Sequence, residues 1–407
     1  MGHGAQITAS GRARAATTVT AGDCGGRTAA GTLAPMEPDF SWLADPAALL
    51  SRFETRPDRI GLDTEFIRER TWWPHLALAQ LAVHDEILLV DMQAPGMAQA
   101  LHGILLDPGI TKVMHSASED LIALQHACDA VPEPLFDTQV AAAIAGIAAG
   151  AGYQRLVADV TGVALGKGET RSDWTRRPLS DAQLAYAADD VRHLFELHDH
   201  LQSRLEALGR RDWLREDCAR MVANARGDAL ERWPHLPIRA AQSFDQAGQH
   251  RLLRLLRWRD AWARENDRPR SWVLDNDLAA TIARVAPPDQ SALKALFDGH
   301  PKAPRKLLAE VWTALVTPLA DEAEAPPVRT EERDKRALRR LQDAVATRSA
   351  ELGLPDGVLA SRRRLESLLD SGDWGALGDW RRAQLEPLLA PLLPEGTGEL
   401  PNGEATV

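Results

Sequence analysis

The chain has 407 residues, too many for one ordinary domain, so two or three compact units are expected. Hydrophobic residues make up 44% and charged residues 26% of the sequence, which is typical of globular proteins, and no apolar run reaches the roughly 18–20 residues that a membrane helix requires. The net charge of −11 argues weakly against a nucleic-acid partner, although a metal site needs acidic residues and basic residues can cluster locally.

The N-terminal segment, residues 1–35, is rich in Gly, Ala and Thr and carries almost no large apolar side chain. Such a segment cannot bury enough surface to offset the entropy lost on ordering, so we expect it to be disordered. It lacks the apolar stretch of a secretory signal. We therefore hypothesise that the native chain begins at Met36, which N-terminal sequencing would test. Residues 396–407 are expected to form a disordered tail.

Short apolar segments next predict an α/β domain over residues 36–210. Four of them have the pattern of strands: RIGLDTEF (59–66), LALAQLAV (76–83), EILLVDM (86–92) and KVMHS (112–116). His84 and Asp85 separate the second from the third, which predicts a hairpin. Apolar residues at helical spacing predict five helices: 96–106, 116–128, 137–146, 153–162 and 179–205. Strands followed by alternating strands and helices indicate a mixed sheet.

Polar residues at the starts of three of these helices predict how the helices begin. Ser116, with Glu119 three residues later, has the pattern of a capping box. Asp137 and Ser180 are the expected N-caps of the third and fifth helices. Each prediction rests on a short side chain that can accept a hydrogen bond from a free backbone N–H of the first turn.

Beyond about residue 210 the strand signals end, and helices are predicted. Residues 211–241 are expected to connect the α/β domain to two small all-α domains, 242–320 and 333–395. Residues 321–332, which begin with the acidic, proline-rich run DEAEAPP, are interpreted as a linker.

Both all-α domains contain an Arg-rich helix, RLLRLLRWRDAWARENDR (251–268) and SRRRLESLL (361–369). Between residues 251 and 270, seven Arg stand against three acidic residues, which predicts a basic surface able to contact RNA phosphates. The alternative is a solvated helix whose Leu and Trp side chains pack inward. If the surface binds RNA, deleting residues 242–407 is expected to weaken binding and leave the chemistry of the first domain intact.

The three cysteines, Cys24, Cys128 and Cys218, lie far apart and form no CxxC pair. That spacing disfavours a disulfide framework and a structural zinc site. It suits a reducing compartment, and we expect a cytoplasmic location.

The first candidate site feature is the acid pair Asp63 and Glu65 at the end of a hydrophobic strand. Residues two apart in a strand point to the same face, so the two carboxylates converge and repel each other. A divalent cation with oxygen ligands would relieve that repulsion. The alternative is a solvated pair at a strand end, and the pattern alone does not exclude it.

Two further acids, Asp120 and Asp190, are candidates for the same site. Asp120 lies in the first turn of a predicted helix, where acids are also favoured by the helix dipole alone. Tyr186 and Asp190 are four apart and share one helix face, which also suits an ordinary surface pair. Each residue has a plain structural explanation. Their order within one α/β unit is what points to a common site.

That order resembles the DEDD family of 3′→5′ exonucleases, in the branch whose third motif carries a tyrosine. Longer segments are similar to ribonuclease D: DTEFIRERTWWPHLALAQL (63–81), KVMHSASEDL (112–121), LFDTQVAAA (135–143), GETRSDWTRRPLS (168–180) and LAYAADDVRHL (184–194). The helical repeats resemble HRDC domains, the second mainly through LASRRRLESLL (359–369). The resemblance implies an α/β ribonuclease H-like exonuclease domain with a mixed sheet, followed by two small all-α HRDC-like domains.

The resemblance also implies a mechanism with two divalent metal ions, Mg²⁺ or Mn²⁺. Asp63 would bridge the ions, Glu65 and Asp190 would complete the tighter site, and Asp120 would hold the second ion through water. Tyr186 would orient the attacking water. The implied reaction releases 5′-mononucleotides from RNA 3′ ends, with tRNA precursors as substrates. We expect a monomer with no obligate protein partner and no membrane association. A DNA exonuclease and a nonhydrolytic RNA-binding protein remain alternatives.

Four accessory residues are weaker candidates for contacts with the substrate. Phe66 could stack on the terminal base, although a core position suits it better. His115 could contact the terminal nucleotide or be a satisfied buried histidine. Lys167 and Arg171 could face a phosphate from a Gly-rich loop or be solvated there. Trp174 is expected to anchor that loop.

Overall fold

The computed structural model describes residues 39–166, 168–169, 172–227, 230–326, 328 and 335–393. The predictions for residues 1–35 and 396–407, and the proposed start at Met36, lie outside these ranges. None of the helices described is both long enough and apolar enough to cross a membrane.

A six-stranded mixed sheet forms the centre of the first domain, as predicted. Its strands are β1 (Ser41–Leu43), β2 (Arg59–Ile67), β3 (His75–Val83), β4 (Glu86–Asp91), β5 (Thr111–Met114) and β6 (Leu135–Asp137). They lie in the order β1-β4-β3-β2-β5-β6. The β2–β3 and β3–β4 pairs are antiparallel, which confirms the predicted hairpin, and the other three pairs are parallel. β2, the strand with the acid pair, is therefore an interior strand.

Sixteen α-helices accompany the sheet within the described residues. Eight belong to the first domain: α1 (Pro46–Ser51), α2 (Met97–Leu106), α3 (Ser118–Cys128), α4 (Thr138–Ile144), α5 (Tyr153–Thr161), α6 (Asp181–Arg192), α7 (Leu194–Ala207) and α8 (Arg211–Arg226). Eight follow: α9 (Gln246–Glu265), α10 (Arg270–Val273), α11 (Asn276–Val285), α12 (Gln290–Asp298), α13 (Leu308–Val316), α14 (Lys335–Leu352), α15 (Arg362–Ser371) and α16 (Asp379–Leu389). After β6 the described chain contains no strand, as expected.

The two faces of the sheet carry separate hydrophobic cores. On one face Ile60 and Leu62 of β2 pack with residues of α1, α2 and α3. On the other, residues of β3 and β4 pack with helices α4 to α8. A Cβ on Gly61 would lie 3.0 Å from Ala82 Cβ and 3.2 Å from Leu194 Cδ1, so this glycine lets α7 approach the sheet. Alternation along β2 therefore directs Asp63 toward the second face.

The capping box predicted at Ser116 is wrong. Ser116 has a left-handed φ of 59°, and α3 begins two residues later at Ser118 without a side-chain cap. The N–H of Ala117 instead donates to Asp137 Oδ2 at 2.8 Å. Asp137 is the predicted N-cap of α4, so one buried carboxylate serves two helix starts. The N-cap prediction for Ser180 is confirmed, with Gln183 completing a capping box.

The helix predicted over residues 179–205 is interrupted at His193, where α6 ends and α7 begins. The Tyr153 hydroxyl lies at the interruption. It accepts a hydrogen bond from the His193 N–H and donates one to the Asp189 carbonyl, both at 3.1 Å. A side chain inserted into the backbone ladder is a recognised cause of helix breaks.

The helices α9 to α13 form a module with its own core, which includes Leu252, Leu256 and Phe297. The module docks on the loop that directly follows β2. Asp267 Oδ1 accepts hydrogen bonds from the backbone N–H groups of Trp72 and Trp73, at 2.9 and 3.0 Å. This contact connects the module to the strand that carries the acid pair.

The basic surface predicted for residues 251–270 is largely occupied by partners within the protein. Arg254 Nε donates to Glu322 at 2.6 Å, and Arg257 Nη1 donates to Asp321 at 2.7 Å. The acidic start of the predicted linker therefore packs against α9, because its carboxylates pair with these guanidinium groups. Arg251 bonds the Ala283 carbonyl within the module.

The helices α14 to α16 share the core of the first domain. Leu341 and Leu385 belong to the same hydrophobic cluster as Leu197 of α7. Trp380 stacks on Trp213 of α8 with ring centroids 4.4 Å apart. Deleting residues 242–407 would expose this part of the core, so we expect the deletion to destabilise the first domain as well as to remove the Arg-rich helices.

A buried ion pair joins α16 to α8 and generates a stability prediction. Arg381 donates to both carboxylate oxygens of Asp217, at 2.6 and 2.8 Å, and each side chain is 8% exposed. Burial would raise the pKa of Asp217, but the hydrogen bonds and charge of Arg381 lower it overall. The stabilisation is therefore present above the unfolded pKa of Asp217 and is lost in acid, as pH falls through the lower folded pKa.

We expect Arg381→Met to lower the free energy of unfolding at pH 7 by about 3–5 kcal/mol, because it leaves a buried charge without its partner. Chemical denaturation measures the change. Arg382→Met is the matched control, since the neighbouring Arg382 pairs with Glu386 on the surface. Equal losses in the two variants would contradict the assignment.

Candidate active site

Asp63 and Glu65 lie near the end of β2, on the face that α6 covers. Their register partners on β3 are Gln80 and Leu78. The pairing shifts between Glu65 and Phe66, at a β-bulge. A bulge re-aims side chains and is frequent beside functional sites. The strand therefore presents both acids to one place, as the alternation in the sequence predicted.

Asp120 comes from α3, on the opposite side of the sheet, and a hydrogen bond ties it to β2. Thr64 Oγ1 donates to Asp120 Oδ1 at 2.5 Å, and both residues are buried. Thr64 separates the two strand acids, so its side chain points to the α3 face. Sequence reasoning missed this residue, although strand alternation places it toward the helix that carries the third acid.

Asp190 and Tyr186 lie one helical turn apart on α6, which packs across β2, β3 and β4. The Tyr186 hydroxyl interacts with the Asp190 carboxylate, and this interaction lowers the pKa of Asp190 against the larger effect of burial, which raises it. The capping box at Ser180 sets the start of this helix. The phenol and the fourth acid thus reach the acid pair from the helical layer above it.

The four carboxylates are close enough to perturb one another. Burial raises the pKa of Asp63 well above its usual range, and the charges of Asp120, Asp190 and Glu65 raise it further. Burial, followed by the charges of Asp190 and Asp120, raises the pKa of Glu65 to about 8. Burial is the main reason that the pKa values of Asp120 and Asp190 are about 7. Holding all four ionised at neutral pH therefore requires positive charge.

A divalent cation fits this donor set. Within the described ranges, no Lys, Arg or His forms an ion pair with any of the four carboxylates. Hard oxygen ligands suit Mg²⁺ and Mn²⁺. No three metal-ligating side chains among the described residues already converge at coordinating distance. Binding of a divalent cation would accordingly bring the carboxylates closer together than they are in this structure.

Gln80 is a second residue that sequence reasoning missed. It is fully buried, and neither amide atom has a hydrogen-bond partner in the protein. It stands directly opposite Asp63, and paired side chains across antiparallel strands lie on the same face. The orphaned amide therefore faces the acid cluster. Its signal in the sequence is a polar residue in the middle of the apolar strand LALAQLAV.

A loop packs closely against Tyr186 through Gly168. A Cβ added at Gly168 would lie 1.6 Å from Tyr186 Cε2, so only glycine fits beside this ring. Trp174, which is 2% exposed, lies with its ring 6.1 Å from that of Tyr186. Trp174 thus has the burial expected of a loop anchor.

The accessory residues have different surroundings. His115 lies 2.9 Å from Thr138 Oγ1 through Nδ1 and 3.0 Å from the Ala151 carbonyl through Nε2. Burial lowers its pKa. Both ring nitrogens are thus engaged, which favours the satisfied-histidine interpretation. Phe66 is half-buried and belongs to none of the three hydrophobic clusters. Lys167 and Arg171 lie outside the described residues.

Comparison with known proteins matches both parts of this architecture. Residues 42–206 match the 3′–5′ exonuclease domain family, and residues 249–315 match the HRDC domain family. A ribonuclease D of Xanthomonas oryzae pv. oryzae is 58% identical over 86% of this chain and 98% of its own. A ribonuclease D of Pseudomonas paraeruginosa is 35% identical over 82% and 90%. The crystal structure of Escherichia coli RNase D aligns with a TM-score of 0.72 and 28% identity, covering 87% of this chain and 98% of that one.

The raised pKa values predict how the stability of the metal-free protein depends on pH. The folded pKa values of Glu65, about 8, and of Asp120 and Asp190, about 7, exceed the unfolded values of about 4. The folded state therefore binds more protons between these limits. The stability that these protonated carboxyl groups contribute is fully present below their unfolded pKa values. It is lost as the pH rises through their folded values of about 7 to 8.

In EDTA the melting temperature is expected to fall from pH 5 to pH 8, and Mg²⁺ should reverse part of that fall. Asp63→Asn should flatten the curve, since it removes one of the crowded charges. Asp85→Asn, in the exposed hairpin turn, is the control and should leave the slope unchanged. Parallel curves for wild type and Asp63→Asn would refute the electrostatic interpretation.

Proposed function

The chain belongs to the ribonuclease D family and is a 3′→5′ exoribonuclease, and from this premise we propose that it shortens structured RNAs, tRNA precursors above all, one nucleotide at a time. Each step hydrolyses the terminal phosphodiester and releases a 5′-mononucleotide. The observation that carries the proposal is the cluster of four mutually repelling carboxylates at the end of β2, with Tyr186 one helical turn from Asp190 and interacting with it.

Enzymes of this exonuclease family depend on divalent metal ions, and the donor set supports two of them, Mg²⁺ or Mn²⁺. Asp63, which interacts with the other three acids, suits the bridging position. Glu65 and Asp190 would complete one ion's ligands, and Asp120 would hold the other through water. When bound, the ions would neutralise charge on the phosphate and lower the pKa of water.

Tyr186 would position the attacking water. Burial and the charges of Asp190 and Glu65 raise the pKa of the phenol, so it stays protonated and does not act as a base. With its hydrogen directed toward Asp190, the hydroxyl oxygen would be able to accept a hydrogen bond from water. The Asp190 carboxylate would thereby hold the phenol in one orientation.

Phe66 is the accessory residue that the surroundings favour most. Its position at a bulge beside Glu65, outside the hydrophobic clusters, supports stacking on the terminal base. His115 is disfavoured as a substrate contact, because its ring nitrogens bond Thr138 and Ala151. Lys167 and Arg171 remain candidates from the sequence alone.

The domain boundaries are also part of the proposal. The exonuclease domain would span 36–210, a connecting segment 211–241 would follow with its helix α8 packed on that domain, and two HRDC-like domains would span 242–320 and 333–395. The family match over 249–315 supports the first, and the helices α14 to α16 support the second. We propose a monomer whose partners are RNA 3′ ends and which needs no obligate protein partner.

Asp63→Asn is expected to abolish shortening of a 3′-extended tRNA, because it removes a charge from the position proposed to bridge two ions. Time-resolved gels with Mg²⁺ measure the products, and EDTA with wild type sets the background. Asp85→Asn serves as the surface control. Wild-type rates in Asp63→Asn would overturn the metal assignment. Equal rates on a matched DNA 3′ end would argue against an RNA-specific role.

Gly168→Ala is expected to lower kcat by about 10- to 100-fold and to change KM little, because the added Cβ must displace the Tyr186 ring. Steady-state kinetics on a short RNA measure both constants. Gly166→Ala lies in the same loop, where a Cβ would meet nothing within 4 Å, and is the matched control. Identical kcat values in the two variants would show that the loop does not position the phenol.

A further inference from the structure

The interruption between α6 and α7 has no cause in the local sequence. The segment from Leu184 to Leu205 contains neither Gly nor Pro, and its apolar spacing predicts one continuous helix. A side chain inserted into the backbone ladder is one of the few remaining causes of such a break. The cause is therefore to be sought in a group from elsewhere in the chain that contacts this backbone.

The inserted group is the Tyr153 hydroxyl. In a continuous helix the His193 N–H would bond directly to the Asp189 carbonyl, four residues earlier. Here the His193 N–H donates to Tyr153 Oη, and Tyr153 Oη donates to the Asp189 carbonyl, each at 3.1 Å. The His193 N–H also donates to the Val191 carbonyl, and the hydroxyl stands where the direct bond from His193 to the Asp189 carbonyl would be.

The residue that follows Asp189 is Asp190. Its position in the last turn of α6 depends on where the Tyr153 hydroxyl holds the preceding carbonyl. The Tyr153 hydroxyl donates to the carbonyl of the peptide that joins Asp189 to Asp190. The insertion therefore acts on the backbone next to a proposed metal ligand.

The phenol is itself held firmly. Tyr153 is the first residue of α5, and its side chain packs against the hydrophobic core that α4 to α8 share. The His115 ring meets it edge-on with centroids 5.6 Å apart. His115 is fixed by Thr138 and Ala151 on either side. A hydroxyl on so constrained a ring can set the position of a helix turn.

We propose that Tyr153 is a positioning residue for Asp190: its hydroxyl interrupts α6 and thereby directs the Asp190 carboxylate toward Asp63. The chain contains two tyrosines, Tyr153 and Tyr186. Both contact the surroundings of the same acid, Tyr186 through its side chain one helical turn away and Tyr153 through the backbone. The inference rests on the proposed role of Asp190 as a metal ligand.

Tyr153→Phe tests the proposal, because it keeps the ring and removes only the hydroxyl. The His193 N–H can then bond to the Asp189 carbonyl directly, and Asp190 turns away from the cluster. We expect the dissociation constant for Mn²⁺, measured by calorimetry without RNA, to rise about 10-fold. We expect kcat to fall about 10-fold and KM for RNA to stay within about twofold.

Leu156→Val is the matched control, since it trims a fully buried side chain of the same helix without touching the ladder. It should lower the melting temperature and leave Mn²⁺ affinity unchanged. A Tyr153→Phe variant that loses stability but binds Mn²⁺ like wild type would overturn the proposal.

Fluorine NMR gives a readout independent of catalysis and of metal. Protein labelled with 3-fluorotyrosine has two resonances, which Tyr153→Phe and Tyr186→Phe assign. In Tyr153→Phe the Tyr186 resonance should shift, because the neighbouring Asp190 carboxylate has moved, whereas Leu156→Val should leave it in place. An unshifted Tyr186 resonance would contradict the proposal. A wild-type protein that neither binds Mn²⁺ nor shortens RNA would contradict the proposed function instead, and the resonance shift would still decide the role of Tyr153.

Discussion

Electrostatic crowding of four carboxylates is the constraint on which the rest of this structure depends. The ionised form of each carboxylate would be more stable in water than in this site. Burial and mutual repulsion therefore raise the pKa values here. Such a cluster persists only where the surrounding fold is strong enough to hold it. β2 supplies that strength as an interior strand, paired on both sides and covered by a hydrophobic core on each face. The acids come from both helical layers, and Thr64 connects the strand to the acid of α3.

The two helical modules support this site in different ways. The first, α9 to α13, has its own core and reaches the catalytic domain through Asp267, which binds the loop directly after β2. The second, α14 to α16, continues the core of the catalytic domain and is joined to α8 by a buried ion pair. A module that looks separable in sequence is thus part of one cooperative core. Removing it would disturb the layer of helices that carries Asp190.

The charge pattern of α9 shows why counting residues overestimates a basic surface. Seven Arg against three acids suggested a free binding surface, yet Arg254 and Arg257 pair with carboxylates more than sixty residues later in the chain. Long side chains reach partners that sequence proximity does not reveal, and a paired guanidinium attracts a phosphate less strongly. The acidic run that resembled a linker supplies those partners. Any RNA contact of this module therefore depends on the Arg residues that the fold leaves exposed.

By itself the sequence determined the features that show in the local spacing of apolar residues or in the order of motifs along the chain. Alternating and helical spacing located the long strands and most helices, and the order of the acids identified the family and the candidate site. Strands β1 and β6, of three residues each, are too short to show a period. The tertiary structure alone decided the remaining features: the Thr64–Asp120 bond, the start of α3 and the interruption of α6. These arise from side chains distant in sequence, as when the Tyr153 hydroxyl intervenes between Asp189 and His193. A hydrogen bond between groups forty residues apart leaves no trace in local spacing, because the chain must fold before the two groups meet.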